Sequence, residues 1–232
     1  MNVADVWKRW HVKLEFISNL YGSVPGDPEM VRAWLEARKP KARPPGGRSI
    51  DEVQAEVMET LANVEDVPED RSLLVFQTLA NGDGSRHLVI RAETVRAHLK
   101  DCARVISAQY LGRLKGERAF STKVINGVYP DTKQEFLEIS RVDGTPITKH
   151  DGEIDRAVHT FRGSALKRLQ FVTPPSIIEL TLQTLGDSIK RDDLETLLTY
   201  GGVHGYGGER SRDGGKYTFT LTEEVPSGKA KR

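Results

Sequence analysis

The sequence predicts an α+β chain with an RRM/ferredoxin-like core: an antiparallel sheet with helices on one face, carrying inserted helices and a projecting β-hairpin. Three observations predict it. Segments that alternate apolar and polar residues, such as VKLEFIS (12–18) and SIIELTLQTL (176–185), have the two-residue period of half-buried strands. Residues 92–109 place Val95, Leu99, Cys102 and Ile106 on one helical stripe. The coarse order is strand, insertion, strand, helix, hairpin region, strand, helix, Gly-rich loop, strand, which is a β-α-β…β-α-β plan.

In chain order, VKLEFIS is the first strand, broken by YGSVPGDP. Asp27 can cap a short helix with Pro28 at its first position, running through Trp34 and Leu35. Residues 40–48, PKARPPGGR, read as a basic loop. Residues 50–64 read as an acidic helix with Val53, Val57, Leu61 and Val64 on one face. SLLVFQTL (72–79) is a strand, Asp83-Gly84 a hairpin turn and HLVIR a short strand. Helix 92–109 follows. From 120 to 162 the chain reads as β-rich: FLEIS (136–140), turns at Asp143-Gly144 and Asp151-Gly152, and AVHTFR (157–162) returning as the other arm of the hairpin. Strand 176–185, a helix over 189–199, a Gly-rich loop and the strand KYTFTLT (216–222) complete the core. This organisation makes residues 1–225 a single RRM-like domain with insertions at about 20–70 and 120–162, and 226–232 a disordered basic tail.

Composition narrows the function classes. The chain has 232 residues, a formal charge of +1 and 38% hydrophobic residues, enough for a core. No apolar run is long enough to span a membrane, and the N-terminal segment lacks the apolar stretch of a signal peptide. A single cysteine, Cys102, excludes an internal disulfide and a Cys-based zinc site, so a cytoplasmic protein is expected, without cofactor, metal or membrane partner. The near-neutral total hides asymmetry. Residues 38–48 carry five bases and no acid, 51–70 eight acids and no base, and 91–123 eight bases against three acids.

Two elements concentrate binding chemistry. The segment GGVHGYGGERSRDGGKY (201–217) combines glycines that let backbone amides approach a phosphate with Arg210, Arg212 and Lys216. Gly207 and Gly208 lie at its centre, and Tyr206 offers a ring for base stacking. The segment is neither a Walker A loop, lacking G-K-[ST], nor a Rossmann fingerprint, since it follows a helix and precedes a strand. On helix 92–109, Arg96, Lys100 and Arg104 recur every four residues and line one face, which Arg113, Lys115, Arg118 and Lys123 extend.

Helix, then GG-x-x-G-[YF]-G-x-x-R-S-R-x-G-G-[KR]-[YF], then final strand resembles the C-terminal glycine-rich loop of the RAMP superfamily, CRISPR-associated proteins built on RRM-like folds. HLVIRAETVRAHLKDCARVI is similar to that family's strand, tight turn and first helix. The opening VKLEFIS with its Gly-containing turn is a third likeness. Within the superfamily the chain most resembles the single-RRM backbone subunits that bind guide RNA in multisubunit effectors. It also resembles short phage-encoded RAMP-like proteins sharing the GSVPGDPE and LLTYGGVHGYG segments. The resemblance implies non-enzymatic binding of single-stranded nucleic acid, RNA favoured, through phosphate contacts, with copies of itself or other effector subunits alongside. Departures from the pattern are Glu209 and Asp213 in the loop and the turn Arg91-Ala92-Glu93-Thr94, which lacks the usual small residues.

Some RAMP proteins are ribonucleases that use a histidine. The candidates are His11, His87, His98, His150, His159 and His204, and no sequence spacing pairs two of them. His150-Asp151 with Glu153 and Asp155 clusters metal-ligand residue types at the predicted hairpin tip, though no metal is expected there, and Asp143 or Asp151 could occupy the place of a target-cutting acid in the hairpin. Three other functions stand beside RNA binding: a phage or mobile-element single-stranded DNA-binding protein without a guide, a histidine-dependent endoribonuclease, and a structural or assembly protein reusing the fold.

Overall fold

A computed structural model describes residues 6–25, 71–82, 84–108, 119–160 and 163–224. The short helix after Asp27, the basic loop, the acidic helix, Arg113, Lys115, Arg118 and the tail lie outside the described residues. The first half contains β1 (Trp7–Phe16), β2 (Leu20–Tyr21), β3 (Val24–Pro25), β4 (Arg71–Val75), β5 (Gln77–Ala80) and β6 (Arg86–Arg91). Then come α1 (Ala92–Ile106), α2 (Ala119–Gly127), β7 (Val128–Pro130), β8 (Phe136–Ser140), β9 (Gly152–Thr160) and β10 (Gly163–Val172). The last elements are β11 (Ser176–Leu185), α3 (Arg191–His204), a 3-10 turn (Arg210–Arg212) and β12 (Tyr217–Glu224).

The chain divides into two units: one of residues 1–20, 89–147 and 173–232, the other of 21–88 and 148–172. In the first, the strands run β12-β1-β11-β8-β6, and β7 also pairs with β11. β1 is antiparallel to both β11 and β12, and β11 is antiparallel to β8. Taking β1, β8, β11 and β12 as four successive core strands, the spatial order is fourth, first, third, second. With α1 between the first and second and α3 between the third and fourth, this is the ferredoxin-like plan.

Alternation builds this sheet. Trp10, Val12, Leu14 and Phe16 of β1 are buried and sit opposite Leu182, Leu180, Ile178 and Ser176 of β11. Against that face pack the apolar stripe Val95, Leu99, Cys102 and Ile106 of α1 and Leu194, Leu197 and Leu198 of α3, all buried. Each such side chain contributes roughly 1.5–3 kcal/mol by leaving water. The other face of β1 is polar, with Arg9, His11, Lys13 and Glu15. There Arg9 donates to Glu224 at 2.8 Å and to the buried Asp131 at 2.7 Å, while Thr181 Oγ1 donates to Glu224 at 3.0 Å. His11 lies inside β1, with Nε2 3.7 Å from Glu179.

The second unit is a smaller sheet. Its strands run β2-β10-β4-β3, and β9 pairs with β10. β10 and β4 are parallel, whereas β9 and β10 are antiparallel over Gly152–Thr160 and Gly163–Val172. Arg168 grips Asp155 through two bonds of 2.8 and 3.2 Å.

Four local expectations change. Residues 119–127 are helical, not β. The arm AVHTFR does not return to FLEIS: β8 pairs with β6 and β11, and the hairpin is made by β9 and β10. Asp151-Gly152 opens β9 rather than forming a turn: Asp151 N–H donates to Phe171 O at 2.9 Å, and Gly152 pairs with Phe171. Strand 72–79 splits at Phe76, whose N–H is taken by the Gln170 side-chain carbonyl at 3.3 Å instead of a neighbouring strand.

Candidate nucleic-acid interface

The helix before the Gly-rich segment is longer than expected. Gly201 and Gly202 lie inside α3, which stops at His204 because Gly205 takes φ +85°, a backbone that side-chain-bearing residues disfavour. The true loop is therefore 205–216. It folds back on itself: Tyr206 N–H donates to Gly215 O at 2.8 Å, and the Arg212 and Gly214 amides donate to Glu209 O at 3.0 and 3.1 Å. A Cβ at Gly205 would collide with Gly214 O, and one at Gly215 with Tyr206 O, so these glycines serve the close approach of the two arms.

The loop is also pinned to β1 and α1. Gly215 N–H reaches Asn19 O at 2.9 Å, Ile17 N–H reaches Lys216 O at 2.9 Å, and Lys216 N–H reaches Ser18 Oγ at 2.8 Å. Tyr206 is buried, which corrects its expected role as a stacking platform. Its ring packs edge-on against Phe16 (6.0 Å) and His98 (5.4 Å), and its phenol hydrogen-bonds the Thr94 hydroxyl. Thr94 in turn donates to Arg91 O at 2.5 Å. Burial pushes the phenol's pKa up, so it stays protonated.

Loop residues exposed to solvent include Gly208 and Arg212, and Gly207 is half-buried with φ +86°. Arg210 is half-buried and pairs with Asp101 of α1 at 2.6 Å, while His204 Nε2 lies 3.8 Å from the same carboxylate. Lys216 pairs with Asp213 at 2.7 Å. Of the two acids that depart from the pattern, Glu209 is buried, whereas Asp213 is exposed and pairs with Lys216.

On α1 the three basic residues part company. Arg96 turns away from the loop. It donates to the carbonyls of Val128 (3.2 Å) and Ile125 (3.1 Å) and lies over the Tyr129 ring at 3.9 Å, fastening the end of α2. Lys100 is half-buried, and Arg104 is exposed. Among the described residues no carboxylate forms an ion pair with either. The Lys100 ammonium is held below its usual pKa by burial first, then by Arg96 and Arg104, with Glu93 opposing weakly. Lys100 and Arg104 thus stand on α1 and Gly207, Gly208, Arg210, Arg212 and Lys216 on the loop, two elements tied by the Tyr206–Thr94 bond and the Arg210–Asp101 pair. Asp101 and Thr94 were missed in the sequence; an acid among bases on a helix gives no hint that its partner lies 109 residues onward.

The catalytic candidates separate too. His98 is buried, bonds Tyr217 Oη at 3.1 Å, and its pKa is lowered to about 4 by burial, then by Arg210 and His204. Cys102 beside it is pushed up to about 12 by burial, so it is an inert thiol. His150 faces Glu153 at 3.6 Å, and Asp143 accepts the Thr145 N–H at 2.9 Å inside its turn. Among the described residues no three His, Cys, Asp or Glu side chains gather as a metal site, and no helix is long and apolar enough to cross a membrane.

No protein-family profile matches the chain, and no curated protein matches it. Among solved structures, a chain from one described as a Type IV-B CRISPR complex is similar to it. The identity is 12%, the match covers 97% of this chain and 94% of that one, and the TM-score is 0.48.

Proposed function

We propose that the chain binds single-stranded nucleic acid, with RNA favoured, as a non-enzymatic RAMP-type backbone subunit. It grips phosphates with the 205–216 loop and the Lys100–Arg104 face of α1, and it lines up along the strand beside copies of itself or other effector subunits. One observation carries this reading. Lys100 and Arg104 stand one turn apart on α1 without an ion-paired carboxylate among the described residues, and the Lys100 pKa is held down by burial first, then by Arg96 and Arg104. Like charges one helical turn apart repel mildly, and a polyanion relieves that repulsion. On the loop, Gly207 and Gly208 let a phosphate approach the backbone closely. The resemblance of the loop sequence to the RAMP pattern points the same way.

Fluorescence anisotropy with labelled single-stranded RNA and DNA, titrated across salt concentrations, tests the reading. Affinity should fall with salt at a log–log slope of about −0.7 per neutralised phosphate. Absence of binding at low salt, or binding insensitive to salt, would overturn it.

A second reading has its own observation. The Asp101 carboxylate 3.8 Å from His204 Nε2 could orient that ring as a general base, beside Arg210 as an anion stabiliser. The ring also stacks on Tyr200 at 5.3 Å. A histidine-dependent endoribonuclease would cleave labelled RNA without added metal, and His204→Ala would abolish the cleavage.

A further inference from the structure

Behind the first turn of α1 lies a cleft of about 380 Å³, lined in part by Arg91, Glu93, Arg96, Tyr129, Gln134 and Glu135. We infer that this cleft receives a nucleobase of the bound strand. The inference rests on the strand-binding reading above and names an interaction that reading lacks.

The lining is built for a planar, uncharged guest. Two guanidinium groups wall it, and each is laid over an aromatic ring: Arg96 over Tyr129 at 3.9 Å, Arg91 over Phe136 at 5.2 Å. A guanidinium is a flat π-surface, and bases stack on such planes. The charges cancel. Glu93 and Glu135 match the two arginines, with Arg91 and Glu135 3.6 Å apart, and the third lining acid, Asp131, is already held by Arg9 at 2.7 Å. A free phosphate would find no net positive field there. A neutral heterocycle would find flat surfaces and hydrogen-bonding edges. Gln134 has its carbonyl oxygen engaged by Thr181 N–H at 2.7 Å, so its amide nitrogen is the donor left for a guest, while Glu93 supplies an exposed acceptor.

The position fits a strand that runs over the loop. The Thr94 hydroxyl, which donates to the Arg91 main-chain carbonyl, also bonds Tyr206, so the cleft and the Gly-rich loop both adjoin the first turn of α1.

Three probes test this on the full chain: a labelled single-stranded oligonucleotide bearing bases, the same backbone with abasic residues, and the four free nucleosides followed by saturation-transfer NMR. The base-bearing strand should bind about tenfold tighter than the abasic one, the size of a stacking interaction. Arg91→Lys keeps the charge and removes the plane, and Glu93→Gln keeps the shape and removes the charge. Both should shrink that preference, Arg91→Lys while leaving abasic affinity unchanged. Equal binding of base-bearing and abasic strands by the wild type would overturn the cleft assignment and leave phosphate binding standing. Nucleoside saturation that Arg91→Lys removes, with no oligonucleotide binding, would support the cleft and overturn the phosphate reading. Neither strand nor nucleoside binding would overturn both.

Discussion

The phenol of Tyr206 and the hydroxyl of Thr94, 112 residues apart, share a hydrogen bond that fastens the Gly-rich loop to the first turn of α1. The two partners are not equivalent. Thr94 is half-buried and keeps a second bond to Arg91 O, whereas the Tyr206 ring is enclosed by Phe16 and His98.

That asymmetry sets the first prediction. Tyr206→Phe should cost only about 1 kcal/mol, because Thr94 still has a partner. Thr94→Ala strands a buried phenol and should cost more, about 1–3 kcal/mol. Urea unfolding of both variants checks the order. A larger loss in Tyr206→Phe would mean that the bond is not what anchors the loop.

Gly201 gives a prediction against helix propensity. A glycine inside a helix normally gains about 1 kcal/mol when replaced by alanine. Here a Cβ would strike Tyr217 Oη and lie 2.7 Å from His98 Nε2, both buried. Overpacking of this kind costs about 1–3 kcal/mol, so it wins, and Gly201→Ala should unfold at lower denaturant than wild type. Gly208→Ala, at an exposed position, is the comparison expected to stay close to wild type in the same measurement.

How legible all this was in the sequence depends on where each signal lies. Strand 176–185 was readable to the residue, since its alternation is set by the sheet it enters. The α1 stripe was readable for the same reason in helical period. Residues 119–127 were not: AFSTKVING mixes Ser, Thr, β-branched residues and glycine, poor helix formers. The helix forms because its partners come from α1. Ser121 N–H bonds Ser107 Oγ at 3.1 Å, Arg96 collects the Ile125 carbonyl, and Val124 is buried. The loop's glycines were correctly seen as exceptional, but their neighbours decide their purpose. Gly205 and Gly215 close the loop on itself, and Tyr206 is core. No local pattern distinguishes a stacking tyrosine from an anchoring one.

His98 makes stability depend on pH. Its folded pKa is lowered from 6.5 to about 4, so the unfolded chain binds the proton more readily. Stability from keeping it neutral is therefore fully present above about pH 6.5 and is lost as pH falls toward 4. The shift corresponds to roughly 3 kcal/mol at most. Urea midpoints should drop between pH 7 and pH 4.5 in the wild type, and His98→Gln should flatten that drop while lowering stability at pH 7. An unchanged pH profile in His98→Gln would show that another group sets the slope.

Asp101 allows the loop arginine to be tested without deleting it. Arg210 is held to Asp101 at 2.6 Å and shares that carboxylate with His204. If Arg210 binds phosphate, the acid competes with the nucleic acid for the guanidinium. Asp101→Asn should then tighten binding to single-stranded RNA and leave the number of neutralised phosphates, and hence the salt slope, the same or greater. Arg210→Ala should weaken binding twice over, by removing a phosphate ligand and by leaving an unpaired carboxylate beside the strand. Adding Asp101→Asn to it should recover the second part only. Lys100→Ala with Arg104→Ala provides the scale, reducing the magnitude of the log–log slope by about 0.7 for each phosphate no longer neutralised. Each substitution at the exposed Arg104 and half-buried Lys100 should change stability by only about 0.5 kcal/mol, so circular dichroism melts should coincide with wild type. Should Asp101→Asn leave affinity untouched while Lys100→Ala with Arg104→Ala abolishes the salt dependence, the strand follows α1 alone and the Arg210–Asp101 pair is a structural clasp for the loop.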